Sequence, residues 1–228
     1  MRPTHEGATT GRSQSNESEI IHELLIAESA PLTFVEFGFH PTQFNCIALC
    51  DRARGLLIDG DERSVRRANS ILPKHIKAVH SFLTLENLDL IRTKFDRLGV
   101  LSIDVDGNDY WFLEALIGMR PSIIAVEYNA SFGLRSITVP YNAAFDRHEH
   151  HPSGWYHGAS ITALARLCGK HGYGLAAVSE SGVNVFFTRQ GNLDPAKTWR
   201  PNKLREKWSG RSVVEQWSTI EGMPYVEI

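Results

Sequence analysis

The stretch G-V-L-S-I-D-V-D-G-N-D-Y-W-F, residues 99–112, decides how this chain is read. Val100 to Ile103 is too short and too apolar for a solvent-facing helix, and its pattern predicts a buried strand of a parallel sheet. Three acids follow at once, Asp104, Asp106 and Asp109, wrapped around Gly107 and Asn108. Ionised acids are rarely buried without a partner, and in open α/β sheets ligands bind at the carboxyl ends of strands. Capping of the next helix would account for Asp106 or Asp109 alone, but not for the cluster.

Outward from this stretch the chain repeats the same unit. Upstream, the pattern predicts a helix over 19–28, a strand over 32–35 closing on Glu36 and Gly38, and a helix over 42–50. G-L-L-I-D-G-D then reads as a second strand ending at Asp59 and Asp61, followed by a helix over 62–70, a strand over 76–79 and a helix over 83–92. Downstream come a helix over about 110–117 and the strand S-I-I-A-V-E-Y-N, which ends at Glu127 and Asn129. Strands alternating with helices indicate βαβ units. Residues 130–157 break the rhythm as a long insert of the kind that usually forms a functional loop or lid. A helix over 158–171 and strands over 173–178 and 183–188, joined by the turn S-E-S-G, predict an antiparallel hairpin at the sheet edge. The expected fold is therefore α/β, a Rossmann-like, doubly wound, mostly parallel sheet with an antiparallel edge hairpin.

Composition bounds the rest. The 228 residues suit one domain (18–190) with a polar, disordered leader (1–17) and a tail (191–228). Trp199, Trp208 and Trp217 suggest that the tail packs on the domain or on a second subunit, which would suit a homodimer. A net charge of −2 exerts no global pull toward nucleic acid or a membrane surface. No apolar run approaches the ~20 residues of a membrane span, and the N-terminus lacks a signal-peptide core. Cys46, Cys50 and Cys168 show no paired spacing, so no disulfide framework is expected, and the cytoplasm is the expected location.

Side by side, the strand ends offer Glu36 and Gly38, then Asp59 and Asp61, then Asp104, Asp106 and Asp109, then Glu127 and Asn129. Two chemistries explain such a row. Carboxylates grip the hydroxyls of a nucleoside cofactor, or they ligate a hard divalent cation. Asp59 follows Gly38 by 21 positions, the spacing at which a ribose diol is usually held. The first loop keeps Gly38 but has His40 and Thr42 where further glycines are expected. That argues against a phosphate-bearing dinucleotide and for a cofactor without phosphates, such as S-adenosylmethionine.

E-F-G-F-H-P-T-Q-F-N, G-L-L-I-D-G-D, S-I-D-V-D-G-N-D and P-S-I-I-A-V-E-Y-N together resemble the FkbM-like group of S-adenosylmethionine-dependent methyltransferases, from about residue 32 to 188. That group's pattern reads roughly K-x-D-x-E-G-x-E, a helix, and a strand ending in Glu. Here Ser102 takes the lysine position, and Asp106 and Asp109 take the two glutamates. The resemblance implies a class I methyltransferase fold, with Glu36, Gly38 and His40 in the first cofactor loop, Asp59 on the ribose, and Asp104 beside the methionine part or the substrate. The leader, the insert and the tail lie outside it.

The insert carries D-R-H-E-H-H-P-S-G-W-Y-H, with His148, His150, His151 and His157. His157 is the best placed, because it leads into a helix start. Tyr128, Tyr141, Trp155 and Tyr156 could line a lid. Asp106, Asp109, Glu127 and His157 are each candidates to remove a proton from a small organic methyl acceptor, with O-methylation expected. Alternatively, a divalent metal held by Asp104, Asp106 and Glu127 would acidify a hydroxyl. Two rival functions remain on the sequence: a metal-dependent enzyme of another reaction class on the same scaffold, and a non-catalytic binding protein using the Trp-bearing tail.

Overall fold

Short apolar runs that bury both faces become the strands of one sheet. The computed structural model describes residues 12–228. Its strands are β1 (Thr33–Phe37), β2 (Arg54–Asp59), β3 (Ile76–His80), β4 (Val100–Ile103), β5 (Ile123–Glu127), β6 (Ile137–Thr138), β7 (Gly174–Val178), β8 (Asn184–Thr188) and β9 (Val226–Glu227). Seven of them form one sheet in the order β3-β2-β1-β4-β5-β8-β7. The first five strands pair in parallel, and β8 runs antiparallel between β5 and β7. This is the Rossmann-like sheet of the class I methyltransferase fold, as expected. Within the hairpin the later strand lies inside and β7 forms the edge. Neighbours β1 and β4 send the chain to opposite sides, which opens a crevice at their carboxyl ends.

Helices cover both faces: α1 (Glu17–Ala27), α2 (Glu62–Ile71), α3 (Asp89–Arg92), α4 (Asp109–Leu116), α5 (Arg147–His150), α6 (Ile161–Lys170), α7 (Pro195–Thr198), α8 (Lys203–Ser209) and α9 (Val213–Ile220). Phe34, Leu57, Val100, Ile123 and Phe186 pack with α1 and α2 on one face. Val35, Phe37, Leu56, Leu101, Ile124 and Val126 pack with α4 and α6 on the other. Side chains alternate faces along a strand, so two covered faces require the near-continuous apolar runs seen in the sequence. Each large side chain so buried contributes about 1.5–3 kcal/mol. No helix among the described residues is long and apolar enough to cross a membrane.

Two predicted helices differ. The 42–50 segment holds only a 3₁₀ turn, Ile47–Leu49. The Glu36 carboxylate accepts from Asn45 N at 2.7 Å and Cys46 N at 2.8 Å, which takes those N–H groups from any helical ladder. The 83–92 helix shrinks to α3, because Asn87 bonds Thr84 N and Phe82 O and stabilises a turn instead.

Of the expected leader, residues 1–11 lie outside the described residues. Within 12–17, Ser13 and Glu17 are buried, and Asn16 Oδ1 accepts from Glu180 N at 2.9 Å. The tail lies on its own domain. β9 pairs with β6, Tyr128 Oη donates to Arg200 O, and Ile220 packs with Phe132, Val139 and Tyr156.

Gly38, after β1, packs backbone to backbone against Asp104, after β4. Its φ is +76°, and a Cβ there would stand 1.3 Å from Asp104 O. A Gly38→Ala variant should lose more than the ~1–3 kcal/mol of left-handed strain alone, because a backbone oxygen has no rotamer by which to withdraw. Denaturant unfolding checks this; a loss under about 1 kcal/mol would mean that the loop relaxes freely.

Candidate active site at the strand ends

Three cavities open at the carboxyl ends of β1, β2, β4 and β5, and Asp104 and Asp106 line all three. One, of about 270 Å³, lies among Gly38, Asp59, Phe82 and Phe145. A second, of about 330 Å³, lies among Glu36, Gly38, His40 and Asn45. The third, of about 470 Å³, is walled by Glu127, Arg147, Trp155, Arg205 and Trp208.

The first loop is built by carboxylates. Glu36, at the end of β1, is buried with its oxygens on Asn45 N and Cys46 N, while Asn45 Nδ2 donates to Ser102 Oγ at 3.1 Å. Burial pushes the Glu36 carboxyl up to about 7, against the two N–H groups that favour its charge. Glu36 thus shapes the loop around Gly38. Asp59, from β2, accepts from Phe39 N at 3.0 Å through Oδ2 and from Asp61 N at 2.7 Å through Oδ1. Each oxygen retains a lone pair toward the cavity, and that pair of acceptors suits a vicinal diol. His40 is exposed, bridges Gln43, and sits on the rim of the second cavity.

The acids after β4 separate into three roles. Asp109 is fully buried; Oδ1 accepts from Val105 N at 2.9 Å and Oδ2 from Gly107 N at 3.0 Å. Both oxygens hold the turn that carries the other two acids, and Asp109 lines none of the three cavities, so this expected candidate base is a structural clamp. Its carboxyl is raised to about 6 by burial, and also by Asp106, against those N–H bonds. Asp106 has φ +55° and pairs with Arg147. Asp104 receives no hydrogen bond on its carboxylate from the described residues and stands where the cavities meet. Burial, then Glu127, Asp106, Asp109 and Glu36, push its pKa well above the usual range.

The end of β5 meets the tail. Asn129 Nδ2 donates to Trp155 O at 2.6 Å and His157 O at 2.8 Å, fixing the path of the insert. Arg205, carried by α8 and only 8% exposed, donates to Asn129 Oδ1, Ser131 Oγ and His157 Nε2 at 2.8, 2.8 and 2.7 Å. Burial lowers its pKa to about 10, so it stays charged at neutral pH. His157 Nδ1 lies 3.8 Å from Glu127 Oε2, and neither atom has a hydrogen-bond partner among the described residues. Burial, then Arg205, Arg147 and His148, push the His157 pKa well down. Burial, then Asp106 and Asp109, push Glu127 up to about 8.

The metal expectation changes here. Asp106, Glu127 and His157 offer ligand atoms within 4.8 Å of one another, with His157 in the place expected for Asp104. As arranged, these groups do not fit a divalent cation. A guanidinium only donates, so His157 Nε2 accepts, and the proton of a neutral ring then occupies Nδ1, the nitrogen facing the cluster. Asp106 is already held by Arg147.

Of the histidine-rich run, only His157 reaches the cluster. His150 stacks on Phe145 with centroids 4.3 Å apart, and His151 Nδ1 lies 2.8 Å from Ser153 Oγ. His148 lies under Gly154. Trp155 lines the third cavity, whereas Tyr141 Oη accepts from Leu85 N and Tyr156 Oη donates to Pro224 O, so these two brace the insert. Arg147 and Arg205 were missed by sequence reasoning. Arg147 stood inside the singled-out run, but Arg205 is 76 positions from Asn129 and carried no signal.

A scan against protein-family models and a search of the curated proteins found no match. Among solved structures, an O-methyltransferase from Bacillus cereus in complex with SAH is similar at 16% identity and a TM-score of 0.48, over 81% of this chain and 82% of that one. The N-terminal domain of EvdMO1 with SAH bound is similar at 14% and 0.48, over 77% and 81% of the two chains. Magnesium protoporphyrin IX methyltransferase from Synechocystis PCC 6803 with bound SAM is similar at 9% and 0.47, over 77% and 78%.

Proposed function

We propose that this chain is an S-adenosylmethionine-dependent methyltransferase of the FkbM-like kind, which methylates a hydroxyl oxygen of a small organic acceptor. The observation that carries the reading is the meeting of three cavities at Asp104, one suited to a nucleoside, one to an amino-acid arm and one to an acceptor. In this reading Asp59 takes the ribose hydroxyls. The Gly38 loop, shaped by Glu36 and rimmed by His40, takes the amino-acid arm. When bound, S-adenosylmethionine supplies an electrophilic methyl group on a cationic sulfur. The negative charge of Asp104 attracts that cation, and Arg147, Trp155 and Trp208 surround the acceptor. Trp208 is 77% exposed at the mouth of the third cavity, so an acceptor with an apolar or ring face has a surface to lie against.

Catalysis here is mostly positioning, with proton removal added. Glu127 lines the acceptor cavity, and its pKa is raised to about 8. A base poised near the working pH combines adequate ionisation with useful basicity.

Two measurements test the reading. Asp104 and Glu127 are raised by burial and by neighbouring acids, so a cation placed beside them favours their ionised forms and expels protons. Calorimetry should find that S-adenosylmethionine binds more tightly as pH rises from about 6 to about 8.5 and releases protons on binding. S-adenosylhomocysteine, with its neutral sulfur, should show a flatter dependence. Absence of binding at millimolar ligand would sink the proposal, and identical pH dependences would place the sulfur away from the acids.

Asp59→Asn removes one charge-assisted acceptor while keeping the side chain's shape. It should weaken both ligands alike, by about 10- to 100-fold, for a charged hydrogen bond worth about 1.5–3 kcal/mol. An unchanged affinity would remove Asp59 from the ribose site.

A further inference from the structure

The tail residue Arg205 sets the chemistry of a ring it does not share an element with. Its guanidinium contacts are with three buried groups, Asn129 Oδ1, Ser131 Oγ and His157 Nε2. Ser131 is fixed in turn, since Oγ accepts from Arg205 and its hydroxyl donates to Gln216 Oε1 at 2.7 Å. A guanidinium has no acceptor, so Nε2 must offer its lone pair and the neutral imidazole must carry its proton on Nδ1. That Nδ1–H faces Glu127 Oε2 across 3.8 Å. The gap is too long for a direct hydrogen bond. Both atoms are buried and unpartnered among the described residues, so the ring bears on the 470 Å³ cavity through Glu127 and Arg205, which line it.

We propose that Arg205 is a positioning residue that locks His157 as the Nδ1–H tautomer, so that Nδ1–H stays turned on Glu127 Oε2 and holds that carboxylate at the wall of the acceptor cavity. This rests on the methyltransferase reading. The acceptor hydroxyl in that cavity gives its proton to Glu127. As its lone pair forms the new O–C bond, the S–C bond breaks, and that bonding pair returns to the sulfur, which becomes neutral. His157 ends as it began. Glu127 at that wall selects a hydroxyl, because a carboxylate acceptor would set its own charge against it and has no proton to give.

Long-range nitrogen–proton correlation spectra of the ¹⁵N-labelled full chain read the tautomer without an acceptor, and a His157→Gln spectrum identifies the resonances. The wild type at neutral pH should show His157 neutral and protonated at Nδ1. Arg205→Lys, which keeps a donor, should preserve that state. Arg205→Met should shift the proton to Nε2, the nitrogen that neutral histidine favours in water. An Nε2–H ring or an imidazolium in the wild type overturns the proposal, as does an Arg205→Met protein that folds and keeps Nδ1–H. A shift of the wild-type Nδ1 resonance on adding Mg²⁺ would also overturn it, by making that nitrogen a ligand. Should Arg205→Met not fold, the wild-type and Arg205→Lys spectra decide. S-adenosylmethionine binding measured on the same samples separates the two claims. An Nδ1–H ring in a wild type that binds no S-adenosylmethionine ends the methyltransferase reading and leaves the tautomer lock supported.

Discussion

The contact between Gly38 and the carbonyl of Asp104 is the constraint on which the site depends. At that point β1 turns toward β2 on one side while β4 ends on the other, with Gly38 N on Ile58 O and Asp104 N on Phe37 O, each at 3.1 Å. A side chain at Gly38 would fill the space between the two turns. Because it is absent, the loop folds tightly, Glu36 gathers the N–H groups of Asn45 and Cys46, and Asp59 reaches Phe39 N. The cavities are what remains once those bonds are made.

Charge is managed around this point by contrast. Glu36, Asp104, Asp109 and Glu127 all have raised pKa values, because each is buried near other acids. Two arginines oppose them, and they come from segments outside the sheet, Arg147 from the insert and Arg205 from the tail. A bound cation would find acids whose ionisation it promotes. The same acids without a cation oppose further ionisation of one another. Their raised pKa values mean that their contribution to folding stability is fully present below the unfolded carboxylate range and is lost as pH rises from there through about 6 to 8.

The sheet was legible because both of its faces are covered, which forces apolar runs such as Val100–Ile103 and Ile123–Val126 to announce themselves. The row of strand-end acids was legible for the same reason, as each interrupts an apolar run. Their division of labour was not. Asp109 and Asp106 look alike in sequence, yet one clamps Val105 and Gly107 while the other faces Arg147. Side-chain capture of backbone N–H groups by Glu36 and Asn87 likewise removed one expected helix and shortened another. Arg205 could not be foreseen, since nothing local marks a tail arginine as the partner of a histidine 48 positions away.

The tail has a consequence for the order in which the protein is made. Every strand of the seven-stranded sheet precedes Arg205 in the chain, as do Asn129, Ser131 and His157. During synthesis the sheet can therefore assemble around a polar pocket whose closing residue has not yet emerged, and domains generally fold as units as the chain is made. Water must serve Asn129 Oδ1, Ser131 Oγ and His157 Nε2 until α8 docks. The chemical identity of the site, including which nitrogen of a histidine carries a proton, is thus decided after its architecture.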